Sequence, residues 1–233
     1  MRLIIEHLKK NFEKKEVLKD IHMEFEKGRI YGLLGRNGAG KTTLFNCLNE
    51  DIPVDAGNFG LEIEGVRTPL MAENLGYVLS VPVVPEFLTG REFLKFFLEV
   101  NEGKIKDPKS IDEYFDLVKI DEEDRDRLMK EYSHGMKNKL QMLVNIIASP
   151  EILLLDEPLT SFDIVVAEEM KQLLRQIKKD HIIIFSTHIM ELALDLCDEI
   201  VILHHGELEK VEEHDLRTDE FKQKIMEVLK EED

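Results

Sequence analysis

Eight consecutive residues, Gly35-Arg36-Asn37-Gly38-Ala39-Gly40-Lys41-Thr42, fit the spacing G-x-x-x-x-G-K-[ST]. Glycines in such a turn let successive backbone N–H groups curl around phosphate oxygens without a clashing Cβ, and a helix that follows points its positive dipole end at the anion. Lys41 is then placed to neutralise β- and γ-phosphates, the Thr42 hydroxyl to ligate Mg²⁺, and Thr43 to extend the phosphate-binding turn into the helix. A second constellation ends the all-apolar run at 152–155 with Asp156 and Glu157. In an open α/β sheet the carboxyl ends of the strands are where ligands sit, so Asp156 can hold the metal directly or through water. Glu157 can orient or deprotonate an attacking water, which makes phosphoryl transfer to water the indicated chemistry. His188 follows another apolar run through Ser186 and Thr187, and a parallel strand there brings it to the edge that carries Glu157 and within reach of a γ-phosphate. The bland alternatives are a glycine turn, a helix cap and a surface histidine.

Elements able to position these groups are legible around them. Residues 1–8 and 17–25 alternate polar and apolar and read as edge strands of a small antiparallel sheet. A short apolar strand at 30–34, the glycine turn at 35–40 and a helix at 41–48 then open a parallel α/β unit. From 89 to 132 the spacing is helical, through Phe93, Phe96 and Phe97 and then Ile111, Phe115 and Val118. Residues 99–131 hold 12 acidic and 7 basic side chains, a net of −5, which reads as a helical insertion with a solvated face. The α/β pattern returns with a helix at 134–148, a strand at 152–155, a helix at 165–179, a strand at 182–185, a helix at 189–196 and a strand at 200–203. His205-Gly206 has the look of a hairpin turn, and a last amphipathic helix uses Phe221, Ile225 and Leu229 behind a cap at 218–220.

Taken together, these residues resemble the ATP-binding cassette family. The resemblance is carried by the phosphate loop, by Tyr132-Ser133-His134-Gly135-Met136-Lys137 as a signature motif, by Leu155-Asp156-Glu157-Pro158, by Asp163 six residues after Glu157, and by Ser186-Thr187-His188. It spans residues 12–206 in the family's motif order. It implies a single cassette with a P-loop NTPase fold: a mostly parallel α/β core at 1–88 and 148–233, with an antiparallel β subdomain at its start, and an inserted helical subdomain at 89–147. It also implies ATP and Mg²⁺ as cofactors and a head-to-tail dimer, homomeric or heteromeric. Each ATP would lie between one subunit's phosphate loop and the other's Ser133 and Gly135, with Asp163 among the nucleotide-binding residues and Phe12 stacking on adenine. A helix opening at Ser133 fits that role physically, because its first N–H groups and hydroxyl are offered to an anion.

Two departures stand out. In 76–80, where the family has a glutamine reaching the metal and the attacking water, this chain has Ser80, and its glutamines, Gln141, Gln172, Gln176 and Gln223, all come later. Serine is shorter, so it reaches the metal through a bridging water or not at all. His134 replaces the first signature glycine, which a side chain tolerates if φ stays negative.

Composition bounds the function. The chain has 233 residues, 43% hydrophobic and 34% charged, enough for one core and unlike a disordered polyelectrolyte. Its net charge of −17 argues against general nucleic-acid binding. Cys47 and Cys197 are too few for a disulfide framework, which fits a reducing compartment. No run approaches the ~20 apolar residues of a membrane-spanning helix. The expectation is an ATP-hydrolysing subunit, peripheral at the cytoplasmic membrane face, that drives a separate transmembrane permease. The permease would dock on the 80–92 loop and the helical insertion, and the Tyr-Ser-x-Gly-Met signature leans towards exporters. Val81, Val83, Val84, Phe87 and Leu88 are either that docking surface or local core. The rivals are a soluble cassette ATPase acting on nucleic acid or ribosomes, and another P-loop enzyme such as a GTPase or small-molecule kinase.

Overall fold

The computed structural model describes residues 1–13, 15–105, 107–160 and 162–211. The amphipathic helix expected around Phe221, Ile225 and Leu229 lies outside them.

Two sheets organise the chain. The first is antiparallel, in the order β2-β1-β4-β5, from β1 (Arg2–Phe12), β2 (Lys15–Glu26), β4 (Ala56–Ile63) and β5 (Val66–Pro69). The second has the order β10-β9-β3-β8-β7-β6, from β3 (Ile30–Leu34), β6 (Leu75–Val78), β7 (Ile152–Asp156), β8 (Ile182–Thr187), β9 (Glu199–His204) and β10 (Glu207–Lys210). Its strands run parallel except β10, which folds back on β9. His205 (φ 47°) and Gly206 (φ 78°) form the two-residue turn between them, both in the left-handed region that right-twisted hairpins favour.

Every residue of β3, β7 and β8 is buried, as a strand covered on both faces requires. Side-chain alternation divides them between two cores. Tyr31, Leu33, Ile152, Leu154, Ile182 and Ile184 join the antiparallel sheet and helix α1 (Lys41–Leu48) on one side. Leu153, Leu155, Ile183 and Phe185 join the remaining helices on the other. These are α2 (Gly90–Val100), α3 (Ile111–Leu117), α4 (Glu122–Arg125), α5 (His134–Ala148) and α6 (Ile164–Ile177), while α7 (Met190–Leu196) covers β3 and β8.

The structure corrects one sequence expectation and refines two. First, β1 is interior, paired with both β2 and β4, because 56–69 supplies two further strands that alternation did not reveal. Gly57, Asn58, Gly60, Glu62 and Glu64 dilute the apolar pattern there, and β5 is exposed along its length. Second, the acidic stretch presents a solvated face, as expected, with nearly all of its carboxylates exposed, but it closes over one buried arginine. The Arg125 guanidinium is buried over Phe115, 5.4 Å from its ring centroid, and donates to the Ile120 carbonyl at 3.1 Å and to Asp112 at 3.0 Å. Arg91 donates to Asp112 and Asp126, each at 2.9 Å. Acidic side chains thus clamp the short helices together, and reciprocal caps at Thr89/Glu92 and Ser110/Glu113 fix where α2 and α3 start. Third, the apolar loop after β6 divides: Val84 and Leu88 pack on the core, whereas Val81, Val83 and Phe87 are 70, 72 and 78% exposed.

Candidate functional site

Parallel register decides what meets at the carboxyl end of the large sheet. Leu34 pairs with Thr187, and Asp156 with Ser186, so the chain leaves β3, β7 and β8 side by side. The turn at 35–40, Glu157 and His188 are therefore neighbours, although the first and last lie far apart in sequence.

Within the turn, Gly38 (φ 87°) and Gly40 (φ 108°) occupy left-handed backbone that side chains rarely adopt, and Gly40 opens α1. Lys41 is 6% exposed and folds back along the turn, its Nζ donating to the carbonyls of Gly35 at 2.6 Å and Arg36 at 3.1 Å. Its Nζ also lies 3.7 Å from Glu157 Oε1. Burial lowers the Lys41 pKa, and the nearby Glu157 and Asp156 oppose that shift.

Thr42 Oγ1 donates to Asp156 Oδ2 at 2.8 Å, and Ser186 Oγ donates to Asp156 Oδ1 at 2.5 Å. Ser186 Oγ also accepts from the Glu157 backbone N–H at 3.1 Å. This serine was not among the expected site residues. Its signal was available: a hydroxyl ending an apolar strand, in register with the Asp-Glu strand. Glu157 sits at φ 51°, left-handed for a non-glycine residue, with Thr160 Oγ1 donating to its carbonyl at 2.8 Å. His188 Nδ1 lies 2.9 and 3.0 Å from the two oxygens of the Glu157 carboxylate. A carboxylate only accepts, so Nδ1 carries the proton and Nε2 is left for another partner.

A cleft of ≈ 370 Å³ opens over these groups. Arg36, Asn37, Gly38, Gly40 and residues 41–43 line it, together with Asp156, Glu157, Ser80, Phe12, Lys15 and Val17. Phe12 is half-exposed. Gly35 and Ala39 complete the turn's backbone without lining the cleft, and His188 reaches it through Glu157.

Three further expected site residues, Ser133, Gly135 and Asp163, are also not among those lining it. Ser133 caps α5, its Oγ accepting from the Met136 N–H at 3.1 Å. Gly135 lies in the first turn of that helix, and Asp163 caps α6 by accepting from the Val165 and Val166 N–H groups, each at 3.0 Å. The start of α5 is tied to the loop after β6: Leu88 and Glu86 carbonyls accept from Met129 and Lys130 N–H at 2.8 and 3.2 Å, and Lys137 Nζ donates to Glu86 Oε1 at 2.6 Å.

Chemically, the cleft offers backbone donors and an ammonium for an anion and an aromatic ring for a flat apolar group. A hydroxyl with a carboxylate suits a hard divalent cation. Among the described residues no cluster of three or more His, Cys, Asp or Glu could hold a metal alone. A cation bound at Thr42 and Asp156 would thus complete its shell with ligand oxygens and water, the usual arrangement for Mg²⁺ with phosphates.

Comparison with known proteins points the same way. Residues 18–160 match the family described as ABC transporter. An uncharacterized ABC transporter ATP-binding protein of Methanocaldococcus jannaschii is 34% identical over 218 residues, 90% of this chain and 79% of that protein. The bacitracin transport ATP-binding protein of Enterococcus faecalis is 31% identical over 209 residues, 87% of this chain and 66% of that protein. A solved structure of the ATP binding subunit of an ABC transporter aligns with a TM-score of 0.80 at 24% identity, covering 97% of this chain and all of the other, a likeness of fold.

Proposed function

The chain belongs to the ABC transporter family as an ABC-type ATPase, and from that premise we propose that it hydrolyses MgATP in a head-to-tail dimer and drives a separate membrane-spanning permease. One observation carries this reading. Lys41, Thr42, Asp156 and Glu157 line one cleft, with His188 joined to it through the Glu157 carboxylate, while Ser133, Gly135 and Asp163 stand outside it on the same chain. On this reading one chain carries half of an ATP site, and the facing cassette, a second copy or a different ATPase subunit, supplies the helix start that corresponds to Ser133.

The roles follow from the geometry. Backbone N–H groups of 36–43 and the Lys41 ammonium hold the phosphates, and the Phe12 ring receives the adenine. Thr42 and Asp156 hold Mg²⁺, which supplies charge neutralisation at the transferring phosphoryl group when bound. Glu157 accepts a proton from the attacking water, its carboxylate steadied by the Nδ1–H of His188 and its backbone by Ser186. The Nε2 of His188 is left to face the γ-phosphate. Ser80 lines the same cleft, where its short hydroxyl would reach a bound metal through a bridging water or not at all.

Among the described residues no helix is long and apolar enough to cross a membrane; in this reading a separate chain forms the membrane path and the ATPase is peripheral to it. Exposed Val81, Val83 and Phe87 suit the docking face. The bonds from Glu86 and Leu88 to 129–130 and Lys137 would pass movement there to Ser133. The Tyr-Ser-x-Gly-Met form of the signature favours export as the direction.

Glu157→Gln tests the reading: it removes the proton acceptor and leaves the binding groups. With saturating MgATP, sedimentation velocity should show a stable dimer and turnover should fall by about 10²–10⁴. A variant that stays monomeric while binding MgATP would overturn the sandwich.

A further inference from the structure

We propose that Lys10 is a positioning residue for the adenine platform, its ammonium held against Phe12 so that the ring is fixed and made a better stacking surface for a purine. The proposal rests on the reading of Phe12 as that platform. Lys10 Nζ lies 5.3 Å from the Phe12 ring centroid, within the range of a cation–π contact. Lysine ammonium groups are seldom buried, yet Lys10 is 7% exposed whereas Phe12 is 47% exposed and borders the cleft. The cation is thus buried beside a ring that remains half-exposed at the cleft.

The ammonium is tethered in place. Its Nζ donates to the Pro53 carbonyl at 2.7 Å and lies 3.5 Å from Asp55 Oδ1. Asp55 is itself fixed to β1, its Oδ2 accepting from the Asn11 N–H at 2.5 Å and its own N–H donating to the Lys9 carbonyl at 2.9 Å. Phe12 sits at the tip of the β1–β2 hairpin, paired with Lys15, where a ring would otherwise swing with the strand end. A positive charge on one face of a phenyl ring draws π density towards it, which lowers the repulsion that an electron-rich purine meets at the other face. Lys10 thus serves base recognition from beneath the ring without touching the nucleotide.

The alternative is that Lys10 only pins β1 to the segment after α1, and base and phosphate contributions separate the two. Titrations of the full chain with MgATP and with magnesium tripolyphosphate, which lacks a base, are compared for the parent, Lys10→Met, Phe12→Leu and the double variant. Phe12→Leu should weaken ATP about tenfold and Lys10→Met about threefold. Both should leave tripolyphosphate unchanged, and the double variant should bind ATP no more weakly than Phe12→Leu. Lys10→Arg should restore ATP binding. Should the methionine variant not fold, Lys10→Gln, neutral but still able to donate to Pro53, should show the same ATP-selective loss. Equal losses for both ligands, or a further threefold loss in the Phe12→Leu background, overturn the role of Lys10. If Phe12→Leu binds ATP as tightly as the parent, the platform reading itself fails and takes this proposal with it.

Discussion

The edge of the large sheet and the start of α5 both present groups suited to phosphate, but they are built differently. At the sheet edge, polar side chains are bonded to one another at 2.5 to 3.1 Å, and most are buried beneath the cleft. At α5, Ser133 is exposed and bonds only the N–H of its own first turn. The first arrangement is preorganised within one chain, so it stores the geometry for binding before any ligand arrives. The second is an ordinary N-cap until something is placed against it. Proteins that act only as dimers gain control from this asymmetry, because binding can precede the assembly that permits reaction.

Substitutions should separate the two regions. Lys41→Ala removes the buried ammonium from the preorganised side, and isothermal titration together with phosphate release should show MgATP binding collapsing and hydrolysis falling by about 10³. Were hydrolysis to survive, the cleft would not be where chemistry occurs. Ser133→Ala should leave MgATP binding by the isolated chain unchanged and lower hydrolysis about tenfold, with a cap loss of about 1 kcal/mol in unfolding experiments. A drop in monomer binding would erase the proposed distinction. Ser80→Gln, which restores the longer amide at the cleft wall, should raise turnover a few-fold and lower the Mg²⁺ concentration needed, by roughly the worth of one hydrogen bond.

The smallest effect concerns the opposite end of the large sheet, where His181 is buried and its Nδ1 donates to the Pro150 carbonyl at 2.5 Å. Burial lowers its pKa below the ordinary 6.5, against the opposing effect of that bond. The unfolded chain therefore takes up a proton below pH 6.5 that the folded chain refuses until its own lower pKa is passed. Stability should fall as pH drops through that window and level off beneath it, with a slope of at most about 1.4 kcal/mol per pH unit. Urea denaturation of His181→Asn should show that component of the slope removed, while nucleotide binding at neutral pH is unaffected.

Legibility in the sequence tracked how local the physics was. The apolar runs of β3, β7 and β8 announce strands covered on both faces, and the glycine spacing at 35–40 announces its backbone shape, since both depend on neighbours along the chain. Strands β4, β5 and β6 escaped notice. β5 has every residue exposed, and β4 and β6 are short or glycine-broken, so pairing with β1 and β7 decided their conformation rather than their own pattern. The acidic stretch is solvated as its charge indicated, but a count of charges does not show that Arg125 and Arg91 lie among those carboxylates in space.

Residue types and their order along the chain determined which groups were available for phosphate chemistry and that an α/β unit would display them. Only the tertiary structure decided their company. Thr42 meets Asp156 across 114 residues of sequence, and Ser186 proves to be the hydroxyl that holds both Asp156 and Glu157. The physical reason is register: hydrogen bonding between parallel strands sets which side chains share an edge, and that pairing is a property of the whole sheet.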